Sequence, residues 1–380
     1  MFTREDTKAV KGMAVIMMLL HHLGAFTDRY ALDFQGFQSF WKPFAEDGYL
    51  GILSANVRLC VALFYFTGGY GLYKRWNTGK FSLPKSISGL YQSYWKVFLI
   101  FVPIAFIFFR KEPDTMPNLY TRYWIADGKS FMISILSNFL GLSDSLNSEW
   151  WFFASYLCVL PMGLLFCMAT KKTKSFTLDI FLVFVIDMLV RDVFAGLPRI
   201  EALSGLGSNF YYTHFLRMSG TSPFFAGIIF AKHDKLEACK AYLHRFRFSG
   251  LLGLIGCLGV LFVRSFILGE LIEIIHATAF VIFLSLFFDS IKPVKKIFGF
   301  IGKYSTDMWL VHTFFCYYFR ETAKIVYSTR SLWIDLLILT AFSLGSSVLL
   351  ELFWKGISLL MPKLKKYLLR PETEQSAQHS

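Results

Sequence analysis

The run Lys11-Gly-Met-Ala-Val-Ile-Met-Met-Leu-Leu-His21-His22 places a cation at one end of an apolar stretch and two imidazoles inside it. Eleven helical steps rise about 16 Å, half of a hydrocarbon core about 30 Å thick. Ionisable groups at that depth are costly, so they face a protein interior, a water-filled cavity or a substrate. A histidine there can serve as general base, nucleophile or proton relay. Neighbouring residues diverge by about 100° around a helix, so at most one of His21 and His22 faces a given site. The alternative for either is a packed, hydrogen-bonded imidazole.

Other residues repeat the pattern. His312 follows Gly302-Lys-Tyr-Ser-Thr-Asp-Met-Trp-Leu-Val, and ten steps from Gly302 put it about 15 Å along its own helix. His22 and His312 therefore have similar depth and can share a cavity. Arg58, in Asn56-Val-Arg58-Leu-Cys, enters from the opposite side and is expected near the midplane. An arginine there wants a carboxylate, a phosphate or a developing oxyanion, or else a structural partner such as Asp187 or Glu273. Glu149 stands in Asn147-Ser-Glu149-Trp150-Trp151 at an expected outer boundary. Tryptophans suit the water–lipid interface, and a carboxylate beside aromatic faces also suits a sugar. Arg264, His276, His214 with Arg217, and an Asp187/Arg191/Asp192 group at helical spacing add further intramembrane charge. So many polar groups imply an internal site or pathway.

Several chemistries are excluded. Gly302-Lys303 lacks the glycine that a phosphate-binding loop needs at position 297, which is Ile. No Gly-x-Ser-x-Gly occurs, and the six cysteines lie far apart with no zinc-ligand spacing, as buried thiols do. No bound metal or permanent cofactor is expected.

The elements that hold these residues are membrane spans. Hydrophobic residues make up 55% and charged residues 17% of the 380, with mean hydropathy +0.48. Soluble domains carry about 25% charge. Apolar runs near 9–27, 49–73, 92–110, 149–170, 176–194, 209–231, 248–268, 271–289, 304–325 and 332–356 make ten candidate spans. Segment 130–147 is shorter and more polar, fitting a re-entrant or interfacial helix. The net charge of +13 resides in short connections: Lys74-Arg75 to Lys85, Lys171 to Lys174, Lys232 to Arg247, Lys292 to Lys296 and Lys363 to Arg370. With a cytosolic N-terminus every one of these falls on the cytosolic side, the positive-inside pattern. That distribution argues against nucleic acid. The first span is expected to remain uncleaved. The fold class is all-α: a polytopic integral membrane protein of about ten transmembrane helices plus the re-entrant or interfacial one. It spans 1–356, with a tail, 357–380, basic and then polar.

Four motifs in order resemble the membrane-bound acyltransferase-3 proteins of bacteria. Lys11-Gly-Met-Ala…His21-His22 is similar to their opening signature, a basic residue followed after ten others by histidine, and the interval selects His22. Cys60-Val-Ala-Leu-Phe-Tyr-Phe-Thr-Gly-Gly-Tyr-Gly resembles their second span. Asn147-Ser-Glu149-Trp150-Trp151-Phe resembles the opening of a later one, and Gly302-Lys303-Tyr-Ser-Thr-Asp-Met-Trp-Leu-Val-His312-Thr resembles a closing motif. Lys11 stands where many members have arginine, and Thr67-Gly68-Gly69 departs from their usual Ser-Gly-aromatic.

The resemblance implies transfer of an acyl group, commonly acetyl, from acyl-CoA as donor substrate to a hydroxyl of an envelope or exported polysaccharide. It implies a multi-pass protein of the inner, cytoplasmic membrane with both termini cytosolic. It further implies His22 as base or acyl carrier, with Arg58 and His312 orienting the thioester or stabilising its oxyanion. Lys11, Lys74 and Arg75 would attract coenzyme A phosphates, and Glu149 and Trp150 would contact the glycan acceptor from outside. The competing reading is a proton-coupled transporter of a glycan precursor or acyl-bearing solute, because midplane histidines suit proton coupling equally. Oligomeric state is open.

Overall fold

The computed structural model describes residues 2–25, 53, 56–108, 128–189, 193–217, 221–267, 270–329 and 331–368. Among them every regular element is a helix. Five are long and apolar enough to cross a membrane: Leu83–Phe108, Ser148–Ala169, Ser249–Phe266, Ile272–Ser290 and Leu332–Met361. Large apolar side chains cover their outer faces in place of polar ones; Phe108, Phe266 and Leu337 are each about 70% exposed. Such a surface needs lipid, not water, around it.

α1 (Arg4–Gly24) starts with a capping box, Thr3 accepting from the Asp6 amide and Asp6 accepting in return from the Thr3 amide. It is buried along most of its length from Val10 to Gly24. α2 (Leu59–Asn77) and α3 (Leu83–Phe108) follow. α4 (Gly128–Phe139) has only 12 residues, where a span needs about 20. It is tied to the α3 flank: Tyr94 donates to Asn138 O at 2.6 Å, Trp95 to Phe139 O at 2.8 Å and Tyr91 to Leu140 O at 2.9 Å. The segment expected to be re-entrant or interfacial thus does not span, and it delivers the chain at Asn147 into the bundle.

A 3-10 turn (Ser148–Trp150) leads into α5 (Trp151–Ala169), then α6 (Phe176–Met188). The run 209–231 is broken into α7 (Phe210–Arg217) and α8 (Ser222–Lys232), the latter opened by Pro223 in its first turn. α9 (Lys235–Leu243), α10 (Ser249–Phe266) and α11 (Glu270–Ser290) come next. α12 (Lys292–Lys303) and α13 (Ser305–Thr313) are separated by a break at Tyr304. A π turn (Phe314–Tyr318) and α14 (Arg320–Val326) break the expected span 304–325 further. α15 (Leu332–Leu368) runs past 356, so residues 357–368 are helical. Residues 369–380 lie outside the described residues, as do Arg191, Asp192 and the side chains of His214 and Arg217.

The lysine-rich connections meet at one end. Lys74 pairs with Asp234 at 2.7 Å; Lys232 reaches Thr170 O at 2.6 Å and Asp179 at 2.5 Å. Lys240 and Lys295 both bind Asp289, at 2.7 and 2.8 Å, and Lys295 also binds Asp6. Four of the five connections expected to share one side thus come together; the fifth, Lys363 to Arg370, has no described side chains. Nearby, α2 and α8 touch backbone to backbone: a Cβ on Gly69 would lie 1.8 Å from Phe224 O, and one on Gly227 would lie 2.1 Å from Phe66 O. Small residues are what allow apolar helices to approach that closely.

Candidate active site

The site grows from a second glycine contact. A Cβ on Gly12 would meet Phe298 O at 1.9 Å, and one on Gly302 would meet Lys8 O at 1.8 Å. α1 and α12 therefore touch there and run side by side in the same direction. Ten residues beyond each glycine stands a histidine, His22 and His312. Equal rise from a common contact brings them to equal height, and their ring centroids lie 4.7 Å apart at 56°. His22 is 5% and His312 0% exposed.

The 3-10 turn supplies the third group. Asn147 caps it by accepting from the Glu149 amide at 3.1 Å, and its Nδ2 donates to Thr313 Oγ1 at 2.7 Å. The Ser148 amide donates to Tyr318 Oη at 3.1 Å, and Trp150 Nε1 donates to Leu310 O at 3.1 Å. These bonds pin the turn against α13 and the π turn. Glu149, itself buried, is thereby held with Oε2 3.6 Å from His22 Nε2. Tyr317, in the π turn, donates to the backbone carbonyl of His22 at 2.6 Å. Its hydroxyl also lies 3.3 Å from His22 Nδ1.

His312 is oriented by its own helix. Its Nδ1 lies 2.6 Å from Trp309 O; a carbonyl only accepts, so Nδ1 carries the hydrogen and Nε2 the lone pair. That Nε2 is buried with no hydrogen-bond partner among the described residues. Two imidazoles and a carboxylate, with one basic nitrogen held ready to accept a proton, form an arrangement suited to general-base or nucleophilic chemistry on a hydroxyl. An aromatic shelf, Tyr65–Phe152 at 4.9 Å and Phe152–Trp309 at 5.1 Å, adjoins it.

With His22, Glu149 and His312 assembled, the comparison with known families is decisive. A model of the acyltransferase-3 family, described as an acyltransferase domain, matches residues 6–352. The chain belongs to the acyltransferase-3 family. No curated protein and no solved structure gives a significant match. All three grouped residues, from the two ends and the middle of the chain, lie inside the matched acyltransferase-3 domain.

The other sequence candidates sit elsewhere. Trp150 is 2% exposed, its ring packed on Tyr94 at 4.9 Å and its N–H committed to Leu310, so it fastens the turn. Arg58 is exposed: the helix carrying it starts at Leu59, so Arg58 occupies a turn at its head and not a point deep within it. The buried arginine at that end is Arg264, bonded to Glu273 at 2.5 Å and to Asn56 O at 3.0 Å. Lys74 is engaged by Asp234 and Glu237. Lys11 is half-buried and feels the charge of Arg75, which is exposed with its guanidinium over Phe81.

Sequence reasoning missed Tyr317 and Asn147 as site-building residues. Tyr317 is 295 residues from its partner, and the only local signal was the aromatic run Phe314-Phe-Cys-Tyr-Tyr after His312.

Proposed function

We propose that this protein is a membrane O-acyltransferase that moves an acyl group, acetyl in the first instance, from acyl-CoA to a hydroxyl of an envelope or exported polysaccharide. The observation carrying this reading is the buried meeting of His22, His312 and Glu149 at the common height set by Gly12 and Gly302. Acyl-CoA is anionic and would approach from the lysine-rich end, taken as cytosolic by the charge bias of its connections. Lys11 and Arg75 would meet its phosphates there. Lys74, tied to two carboxylates, would hold the α8–α9 connection instead.

An imidazole Nε2 takes the proton of the acceptor hydroxyl as the oxygen attacks the thioester carbonyl carbon. The C–S bond breaks, and the thiolate receives the proton from the imidazolium, leaving an ester and a free thiol. His22 is the first candidate for that base, or for transient carriage of the acyl group. Glu149 at 3.6 Å would stabilise the imidazolium, as a carboxylate does beside a catalytic histidine. Exclusion of water by the aromatic surroundings strengthens these charges.

The test is purified protein in nanodiscs, incubated with acetyl-CoA and an oligosaccharide, with ester formation read by mass spectrometry. His22→Gln is expected to lose about a hundredfold or more in rate. Full transfer by that variant sinks the assignment. Solute flux driven by a proton gradient, without thioester turnover, would replace the reading with transport.

A further inference from the structure

Tyr317 meets His22 twice, at the backbone carbonyl (2.6 Å) and at ring Nδ1 (3.3 Å). A phenol has one hydrogen, and a carbonyl oxygen can only accept. The hydrogen is therefore spent on the carbonyl, and toward the ring the phenolic oxygen can act only as an acceptor. The ring nitrogen facing it must then be the one that bears hydrogen. We propose that Tyr317 is a positioning residue that selects the Nδ1–H tautomer of His22 and so reserves Nε2 for the reacting atoms. What Nε2 does rests on the acyl-transfer reading; which nitrogen carries the hydrogen does not.

Two independent features converge on this assignment. The first is the π turn. In a regular helix five steps of about 100° would leave Tyr317 about 140° away from His312. The widened turn, closed by Phe319 N to Phe314 O at 2.7 Å, turns Tyr317 back toward α1. Such turns cost regular hydrogen bonding and concentrate at functional sites. The second is His312, whose Nδ1–H is fixed by the Trp309 carbonyl in the same sense. Both imidazoles thus carry hydrogen on Nδ1; at His22 Nε2 the Glu149 carboxylate stands ready to stabilise the N–H formed once that nitrogen takes up a proton, and His312 Nε2 has no hydrogen-bond partner among the described residues. A misassigned tautomer in a hydrolase triad leaves geometry intact and removes most of the rate; Tyr317 here holds the place of the group that prevents it.

The experiment uses the full chain, ¹⁵N-histidine labelled, in nanodiscs, with His22→Gln identifying the His22 signals by difference. The expected wild-type signature is a protonated Nδ1 and an unprotonated Nε2 at His22. Tyr317→Phe keeps the ring and removes only the hydroxyl. It is expected to move the His22 signals toward the Nε2–H form and to lower kcat about tenfold or more. The KM for acetyl-CoA should change less than about threefold, since only a step after binding is affected. A wild-type His22 with hydrogen on Nε2 overturns the proposal without any variant. Unchanged His22 signals and kcat in Tyr317→Phe overturn it as well. If the wild-type protein transfers no acyl group, the acyl-transfer reading falls while the tautomer comparison still decides the role of Tyr317.

Discussion

His22 and His312, the residues proposed to carry the chemistry, differ in what surrounds each ring. His22 has Glu149 on one side and Tyr317 on the other; His312 has a backbone carbonyl at Nδ1 and, among the described residues, no hydrogen-bond partner at Nε2. His312→Asn retains a donor near the Nδ1 position for the Trp309 carbonyl and deletes the Nε2 lone pair. It is expected to fold with a melting temperature near wild type and to lose about a hundredfold in acyl transfer, measured by thiol release. A variant with full rate would show that His312 only packs. His21 shares the helix but not the direction, and His21→Gln should keep most of the rate. The interval from Lys11 prefers His22 of the two, and the ring of His22 lies against His312 and Glu149.

At the scale of elements, two contacts hold the site: the α1–α12 crossing and the capped 3-10 turn. Gly12→Ala or Gly302→Ala would drive a methyl into a backbone carbonyl. Overpacking of that kind costs about 1–3 kcal/mol, and because both histidines are positioned from this crossing, rate should fall with stability. A Gly302→Ala protein of wild-type melting temperature and turnover would refute the common-height account. Asn147→Ala removes the cap of the turn and the bond to Thr313. A lost cap of this type costs about 1 kcal/mol; the expected result is a modest drop in melting temperature with a larger fall in turnover, as Glu149 loses its anchor. The breaks at Tyr304 and Phe314–Tyr318 were invisible to hydropathy, which registers how apolar a stretch is and not how its backbone closes.

Over the whole molecule, the lysine-rich end is knitted by Asp6, Lys295, Asp289 and Lys240. Burial pushes the Asp6 carboxyl up, but Lys295, the Thr3 amide and Lys240 outweigh it and hold it below its ordinary range. Burial pushes Lys295 down, but Asp289 and Asp6 hold it above its own. The Asp6 contribution is present above its unfolded value of about 4 and is lost only as pH falls through the lowered native one. The Lys295 contribution is present below about 10.4 and is lost only as pH rises through the raised native value. Between them these two contributions are constant, so Asp6→Asn should cost about 3 kcal/mol, equally at about pH 5 and about pH 8. A loss that varies between those pH values would contradict the sign of the Asp6 shift. Orientation is tested separately with a membrane-impermeant maleimide. Thr78→Cys, exposed near Lys74, should label from the cytosolic side, and Ser204→Cys, exposed on a 3-10 segment, from outside.

Composition and the spacing of charge determined the class of this protein and the residues worth suspecting, because transfer energies act locally and leave long apolar runs with lysines between them. Similar rises in two separate runs, eleven steps from Lys11 and ten from Gly302, even predicted that His22 and His312 would share a depth. Sharing a depth is not contact, and contact was decided by Gly12 meeting Gly302 across nearly three hundred residues of chain. The structure also separated Glu149, which faces His22, from Trp150 beside it, which faces the core. Adjacent residues in a turn point in different directions, and only packing chooses which one reaches the site. Tyr317 belongs wholly to the tertiary structure. A π turn and a partner 295 residues away set its role, since hydrogen bonds depend on position in space and leave no period in a sequence.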